Sequence, residues 1–419
     1  MLAHVLALLP VIAAVPLKRD NTTPAPAPMS LRHDLAHFDF TPITQISLGP
    51  RPYYLVDDMS PSPLKDQLTQ CKEHTQKTSK WSIGHRGGGT LQFPEHTVES
   101  NLAGARMGAG ILECDVAFTK DLQLVCRHSQ CDLHTTTNVV AIPEMNAKCT
   151  QPFVPANGTA PARAKCCTAD FTMDELRTLC AKMDSSYANA TTPEQYLGGV
   201  APWRTTLYNQ CGTIISHRDH IAMTLALGLD FTPELKTPEV PIPEGYSQEA
   251  YAQQLVDDYR EMGVDFSRVW PQSFLYDDIL YWLKAEPKFA KQALFLDETG
   301  DNGKLANATA ALKGRKKDGV KWIAPPTSYL LKAVDGRLEA SEYAKEAKRL
   351  GFGVVAWSLE RSPPLAKVKG DYYYENFDSA ITRDGDLFVV LDALKNVGVD
   401  KVFSDWSAAT TFYANCMGL

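Results

Sequence analysis

The 419-residue chain predicts an α/β fold, a (β/α)8 barrel with a cysteine-rich insertion after the second strand's hairpin. Two observations predict it. From Trp81 onward eight short apolar runs alternate with longer helix-periodic segments, the pattern of parallel strands joined by crossover helices. A chain of this length also accommodates one large α/β barrel as a single domain. The runs fall at 81–86, 110–117, 229–235, 268–272, 293–297, 322–324, 353–358 and 401–405, with helical stretches such as 247–262 and 340–350 between them. An open doubly wound sheet fits the same alternation and is the fold-level alternative.

The chain before the barrel reads in three pieces. Residues 1–19 form a secretory signal by their apolar run and small residues Ile12-Ala13-Ala14, followed by a dibasic processing site, Lys18-Arg19. Residues 20–45 form a Pro-rich linker, and 46–80 an extension with a helix expected from Pro63 to Lys72. The barrel is expected over 81–415. No later run approaches the ~20 apolar residues of a membrane span.

Secretion agrees with two further features. Asn21, Asn157, Asn189 and Asn307 each begin an Asn-x-Thr acceptor for glycosylation. Most of the ten cysteines lie between Cys114 and Cys211, which in an oxidising compartment reads as disulfide stapling of one region. No paired Cys-x-x-Cys with matching partners supports a zinc site. Residues 131–213 are too long for an ordinary loop and carry six of the cysteines; a cap beside the active site and a surface insertion both fit. The net charge of −7 excludes nucleic acid as the natural partner, but a locally positive cleft could still take a small anion. Oligomeric state leaves no signal.

The chemistry concentrates at strand ends. In Leu112-Glu113-Cys114-Asp115-Val116, Glu113 and Asp115 are two apart and share one face, while their neighbours pack on the other. Two carboxylates side by side repel unless a cation lies between them, and a hard divalent ion, Ca²⁺ or Mg²⁺, satisfies them. Glu234 and Lys236 repeat the arithmetic on the next parallel strand, supplying a third carboxylate and an ammonium for phosphate. His85 ends the first strand, with Arg86 beside it and Gly87, Gly88 and Gly89 allowing close backbone approach. The run 123–128 follows Val116 too closely for a crossover helix, so it should form an antiparallel hairpin. That hairpin returns His128 toward Glu113 and Asp115, and two imidazoles can act as general base and acid. Other histidines, including His217 and His220 at a helix start, read as structural.

These residues resemble a known family. His85-Arg86-Gly87, Pro94-Glu95-His96-Thr97, Glu113-Cys114-Asp115-Val116, Leu124-Val125-Cys126-Arg127-His128, Glu234-Leu235-Lys236, Gln272-Ser273-Phe274 and Trp357-Ser358 recur in the order seen in glycerophosphodiester phosphodiesterases. The chain resembles a secreted fungal member from about Trp81 to Trp406. The resemblance implies one divalent cation on Glu113, Asp115 and Glu234, with acid/base chemistry at His85 and His128. It further implies phosphate contacts from Arg86 and Lys236, support from Glu95, and hydrolysis of glycerophosphodiesters to sn-glycerol 3-phosphate and an alcohol. His96 stands where the family usually has Asn, and Ser129 where it usually has Asp; both are expected to bear on the alcohol head group.

Rival activities differ in what they require. Lysophospholipase D and sphingomyelinase D share the barrel and metal plan and differ in substrate. A glycoside hydrolase needs carboxyls ~5 to ~9 Å apart and no metal, a poor match to adjacent Glu113 and Asp115. A catalytically dead binding protein would be expected to have lost a histidine or metal carboxylate, and none is lost.

Overall fold

The computed structural model describes residues 35–419 except 207, 209 and 210. The signal, the dibasic site and most of the linker expected over 1–34 lie outside the described residues.

The core is a closed parallel (β/α)8 TIM barrel. Its sheet contains β1 (Ser79–Gly84), β2 (Ala109–Phe118), the hairpin strand β3 (Leu124–Cys126), β4 (Asp230–Leu235), β5 (Gln272–Ser273), β6 (Leu294–Leu296), β7 (Trp322–Ala324), β8 (Gly353–Leu359) and β9 (Lys401–Ser404). Their order is β1-β9-β8-β7-β6-β5-β4-β2-β3, and the additional β1–β2 pairing closes the ring. Two helices precede the barrel, α1 (Arg51–Asp58) and α2 (Pro63–Gln70). Around it run α3 (Val98–Arg106), α4 (His217–Leu227), α5 (Gln248–Glu261), α6 (Tyr276–Ala285), α7 (Leu305–Lys317), α8 (Glu342–Arg349), α9 (Asp386–Val397) and α10 (Ser407–Met417).

Local chemistry sets these boundaries. Ser216 and Asp219 form a capping box that starts α4, and Gly228 ends it at φ 74°, a left-handed conformation that costs glycine little. Side chains of Ser62, Ser247 and Ser341 accept the first free N–H groups of α2, α5 and α8. Strand parity then sorts the side chains. Leu112, Cys114 and Val116 join the large apolar layer between sheet and helices, whereas Ile83, Ile111, Leu294, Leu296, Val355 and Phe403 fill the barrel interior.

Two strands depart from expectation. β1 stops at Gly84, and His85–Gly87 form a single 3-10 turn with Arg86 at φ 52°. The Arg86 N–H leaves the ladder to meet Glu113. The strand expected over 268–272 survives only as Gln272–Ser273: Phe266–Arg268 form a 3-10 turn, and Pro271 has no N–H for the ladder.

All ten cysteines are paired: Cys71–Cys416, Cys114–Cys126, Cys131–Cys167, Cys149–Cys166 and Cys180–Cys211. Cys114–Cys126 ties β2 to the hairpin strand. Residues 131–213 build a small apolar core of their own around Leu133, Val139, Phe171 and Leu176, continuous with Ala117 and Val125. No helix among the described residues is long and apolar enough to cross a membrane.

Candidate active site

The polar side chains gather where the barrel strands end. β2 and β4 lie in register with Asp115 beside Glu234, so three carboxylates converge from two neighbouring strands. Ligand oxygens of Glu113, Asp115 and Glu234 all lie within 4.8 Å of one another, and all three residues are buried. Burial raises the Glu113 carboxyl well above its usual range, and repulsion from Asp115 and Glu234 adds to the rise. Burial likewise lifts Glu234 to about 8, although Lys236 Nζ lies 2.5 Å from its Oε1. Asp115 Oδ1 is buried with no hydrogen-bonding partner among the described residues. Three hard oxygen donors that repel one another, one of them unpartnered, fit a divalent cation.

Polar neighbours orient this set. Glu113 Oε2 accepts the Arg86 backbone N–H at 2.7 Å, and its Oε1 accepts from Gln272 Nε2 at 2.7 Å. Asp115 Oδ2 lies 2.8 Å from His96 Nε2. His96 is fully buried behind the carboxylate, so it does not face a head group as expected from the sequence. Ser129, the other departure, pairs through its Oγ with Glu239.

His85 follows the first strand and lines a cavity of about 70 Å³ together with Arg86, Glu113, His128 and Glu234. Its Nδ1 is 2.5 Å from Asp405 Oδ1, and its Nε2 is 3.8 Å from Glu113 Oε2. Burial pushes the imidazole down to about 4 against the pull of Asp405, so it is neutral near pH 7. With its proton on Nδ1 toward the carboxylate, Nε2 carries the lone pair, and Ser358 Oγ lies 3.1 Å from Nδ1 and 3.4 Å from Nε2. His128 is carried by the hairpin as expected: the Arg127 N–H donates to the Asp115 carbonyl at 2.8 Å, fixing the return of the chain. Burial, then Arg86, Lys236 and Arg361, hold His128 well below its usual range.

Arg86 Nη1 lies 2.9 Å from both Glu95 oxygens. Burial works to raise the Glu95 carboxyl, but Arg86 and Arg361 outweigh it and hold it at about 2. The glycines after Arg86 serve packing: a Cβ on Gly87, at φ 106°, would come within 2.6 Å of Ser100 Oγ on α3.

All eight residues singled out from the sequence therefore meet at one end of the barrel. Four others were not assigned roles. Asp405 and Gln272 carry the signal that revealed Glu113, a polar side chain in the last positions of a strand. Arg204 and Arg361 come from irregular segments and meet on Asp405 Oδ2 at 2.9 and 3.0 Å. No sequence periodicity marks them. Phe274, Trp357 and Tyr373 supply the apolar wall of the cavity.

A parallel barrel with a convergent carboxylate set, two imidazoles and buried guanidinium groups at its strand ends has the parts of a phosphodiesterase. The sequence profile of the glycerophosphoryl diester phosphodiesterase family matches residues 85–408, and the chain belongs to that family. It is 44% identical over 245 residues to an extracellular protein of Arthroderma benhamiae, covering 57% of this chain and 100% of the relative. It is 30% identical over 176 residues to glycerophosphodiester phosphodiesterase GDPD6 of Arabidopsis thaliana, covering 41% of each chain. Among solved structures, one from Silicibacter pomeroyi assigned as a glycerophosphoryl diester phosphodiesterase shares the fold. Its TM-score is 0.51 at 17% identity, covering 84% of this chain and 98% of that one.

Proposed function

We propose that this protein is a secreted enzyme that hydrolyses glycerophosphodiesters to sn-glycerol 3-phosphate and an alcohol. The observation that carries the reading is a single cavity in which His85, His128, Arg86, Glu113 and Glu234 face one another. Glu113, Asp115 and Glu234 would hold one divalent cation, Ca²⁺ or Mg²⁺. When bound, that ion supplies charge neutralisation for the phosphate oxygens.

Arg86 and Lys236 place fixed positive charge beside the same phosphate, where the anionic transition state gains from preorganised donors. His85, held through Nδ1 by Asp405, keeps Nε2 as a proton acceptor for the attacking hydroxyl. His128 supplies the proton to the departing alkoxide. Burial holds His128 low first and the neighbouring cations add to it; the negative charge of a bound phosphodiester offsets the cationic part and so favours the protonated ring. Glu95 fixes the Arg86 guanidinium and so sets where the phosphate sits. Secretion is supported by the extracellular relative and by acceptor asparagines Asn157, Asn189 and Asn307, all exposed.

The test is hydrolysis of glycerophosphocholine and its analogues with and without chelator, beside His85→Ala and Glu113→Gln. The reading expects sn-glycerol 3-phosphate from the wild type, loss with chelator, and a drop of at least ~100-fold in either variant. Metal-independent activity at full rate in both variants overturns it.

A further inference from the structure

The segment between Cys180 and Cys211 lends Ala181, Ala190 and Tyr196 to the small insertion core and then brings Arg204 to Asp405 at the strand ends. Its base is closed twice, by the disulfide and by reciprocal backbone hydrogen bonds between Ala181 and Gly212 at 3.0 and 2.8 Å. Six residues before Cys211, the Thr205 N–H donates to the Leu91 carbonyl at 3.0 Å, fastening the loop to the turn after β1. One residue earlier, Arg204 turns inward with a side chain only 8% exposed. Its Nη2 lies 2.9 Å from Asp405 Oδ2, an ion pair across 201 residues of sequence.

We infer that Arg204 is a positioning residue for His85, delivered by the disulfide-closed insertion, so that the insertion is a working part of the catalytic centre. The inference rests on the phosphodiesterase reading above. Asp405 has two oxygens and divides them. Oδ1 takes His85 Nδ1, while Oδ2 is held by Arg204 and by Arg361 Nη1 at 3.0 Å. Two guanidinium groups on one oxygen fix the carboxylate plane and leave the other oxygen to the imidazole. The backbone is held as well, because the Thr90 N–H donates to the Asp405 carbonyl at 2.9 Å.

Arg204 and Arg361 are not equivalent. Arg361 also reaches Glu95 Oε2 at 3.5 Å, so removing it disturbs the phosphate-side pair as well. Arg204 reports on Asp405 more cleanly. A guanidinium this deeply buried is stabilised only by an excellent partner, and a merely decorative insertion has no reason to place one here. The geometry also orders the loss: without Arg204, Asp405 Oδ2 keeps only Arg361, so the carboxylate that orients His85, beside Ser358 Oγ at 3.1 Å from Nδ1, is held less firmly. Substrate phosphate, bound through other groups, is left in place.

The experiment compares wild type, Arg204→Ala, Arg204→Gln and Arg204→Lys on glycerophosphocholine, with circular dichroism and thermal melts as folding checks. For folded Arg204→Ala or Arg204→Gln, kcat is expected to fall roughly 10- to 100-fold with KM within about twofold of wild type, as for loss of a group that orients a catalytic side chain. Arg204→Lys recovers at least part of the loss by restoring the cation. The downfield ring N–H resonance of His85 is expected to broaden or move in Arg204→Gln and to persist in Arg204→Lys. A folded Arg204→Gln with wild-type kcat, or with a rise in KM alone, overturns the inference while leaving the phosphodiesterase reading intact. A wild type that hydrolyses no glycerophosphodiester overturns that reading instead, and an unchanged His85 resonance in Arg204→Gln independently overturns the positioning role.

Discussion

His96 Nε2 meets Asp115 Oδ2 at 2.8 Å, both groups buried, and this contact decides which oxygen of Asp115 is free. Burial lowers the His96 imidazole although Asp115 pulls the other way, so the ring donates one N–H as a neutral group. Oδ1 is left without a partner among the described residues, on a carboxylate that belongs to the cluster with Glu113 and Glu234. Replacing His96 by Leu is expected to weaken cation binding roughly 10- to 100-fold. His96→Asn, restoring the family's usual residue and an N–H donor, is expected to recover much of it. Calorimetric titration with Ca²⁺ and Mg²⁺ checks both; unchanged affinity in His96→Leu excludes the orienting role.

Cation binding should release protons. Glu234 sits at about 8 in the ion-free cluster, so near neutral pH its carboxyl is largely protonated and must ionise to become a ligand. Affinity is expected to fall below pH 8 by about tenfold per pH unit for each carboxyl that must lose its proton. The measurement is titration in buffers of different ionisation enthalpy, well below and well above that pH. Equal proton release on both sides counts against the assignment.

Acid should weaken the fold through the opposite kind of group. The Glu95 carboxyl is held at about 2 in the folded protein, below its ordinary value of 4.5. Its pairing with Arg86 and Arg361 therefore stabilises fully above pH 4.5 and is lost as pH falls toward 2. The contribution is about 3 kcal/mol at neutral pH. Chemical denaturation of Glu95→Gln across this range is expected to show a flatter acid limb than wild type. Parallel curves would mean that Glu95 does not carry this dependence.

The disulfide between β2 and the hairpin strand predicts a local effect rather than a global one. Cys114→Ser with Cys126→Ser removes the covalent tie between β2 and the hairpin that bears His128. Activity is expected to drop more than stability, which this short loop supports by about 2–3 kcal/mol at most. Comparing kcat with the denaturation midpoint checks the order; a large stability loss with full kcat contradicts it.

Strand parity made much of the site legible. It put Glu113 and Asp115 on one face, Glu234 and Lys236 on another strand's equivalent face, and the short spacing after Val116 forced the hairpin that returns His128. These rules depend on neighbours in sequence. Asp405 obeyed the same parity with Lys401 and Phe403 but carried no cue to its partner, because His85 lies 320 residues away. Arg204 and Arg361 arrive from irregular backbone, where side-chain direction follows from tertiary closure alone. His96 was misplaced for a related reason. Its φ of 56° turns it inward to Asp115, and a left-handed non-glycine residue leaves no mark in composition. The 3-10 turn at His85 frees the Arg86 N–H for Glu113, 27 positions on, a partner that local propensity does not reveal.

The Cys71–Cys416 bond gives the barrel a property its peptide chain lacks. It joins a residue at the end of α2, just ahead of β1, to one in the last helix, 345 positions apart. The enclosed chain is thus a covalent ring. Consider a single protease cut at the exposed turn between Asp335 and Gly336, which joins the small strands Leu331–Val334 and Arg337–Ala340. The other four disulfides all lie on the N-terminal side of that cut, so this bond alone links the halves. On a denaturing gel the nicked protein is expected to migrate as one species without reductant and as two with it. For a molecule read as working outside the cell among proteases, continuity no longer depends on an unbroken backbone.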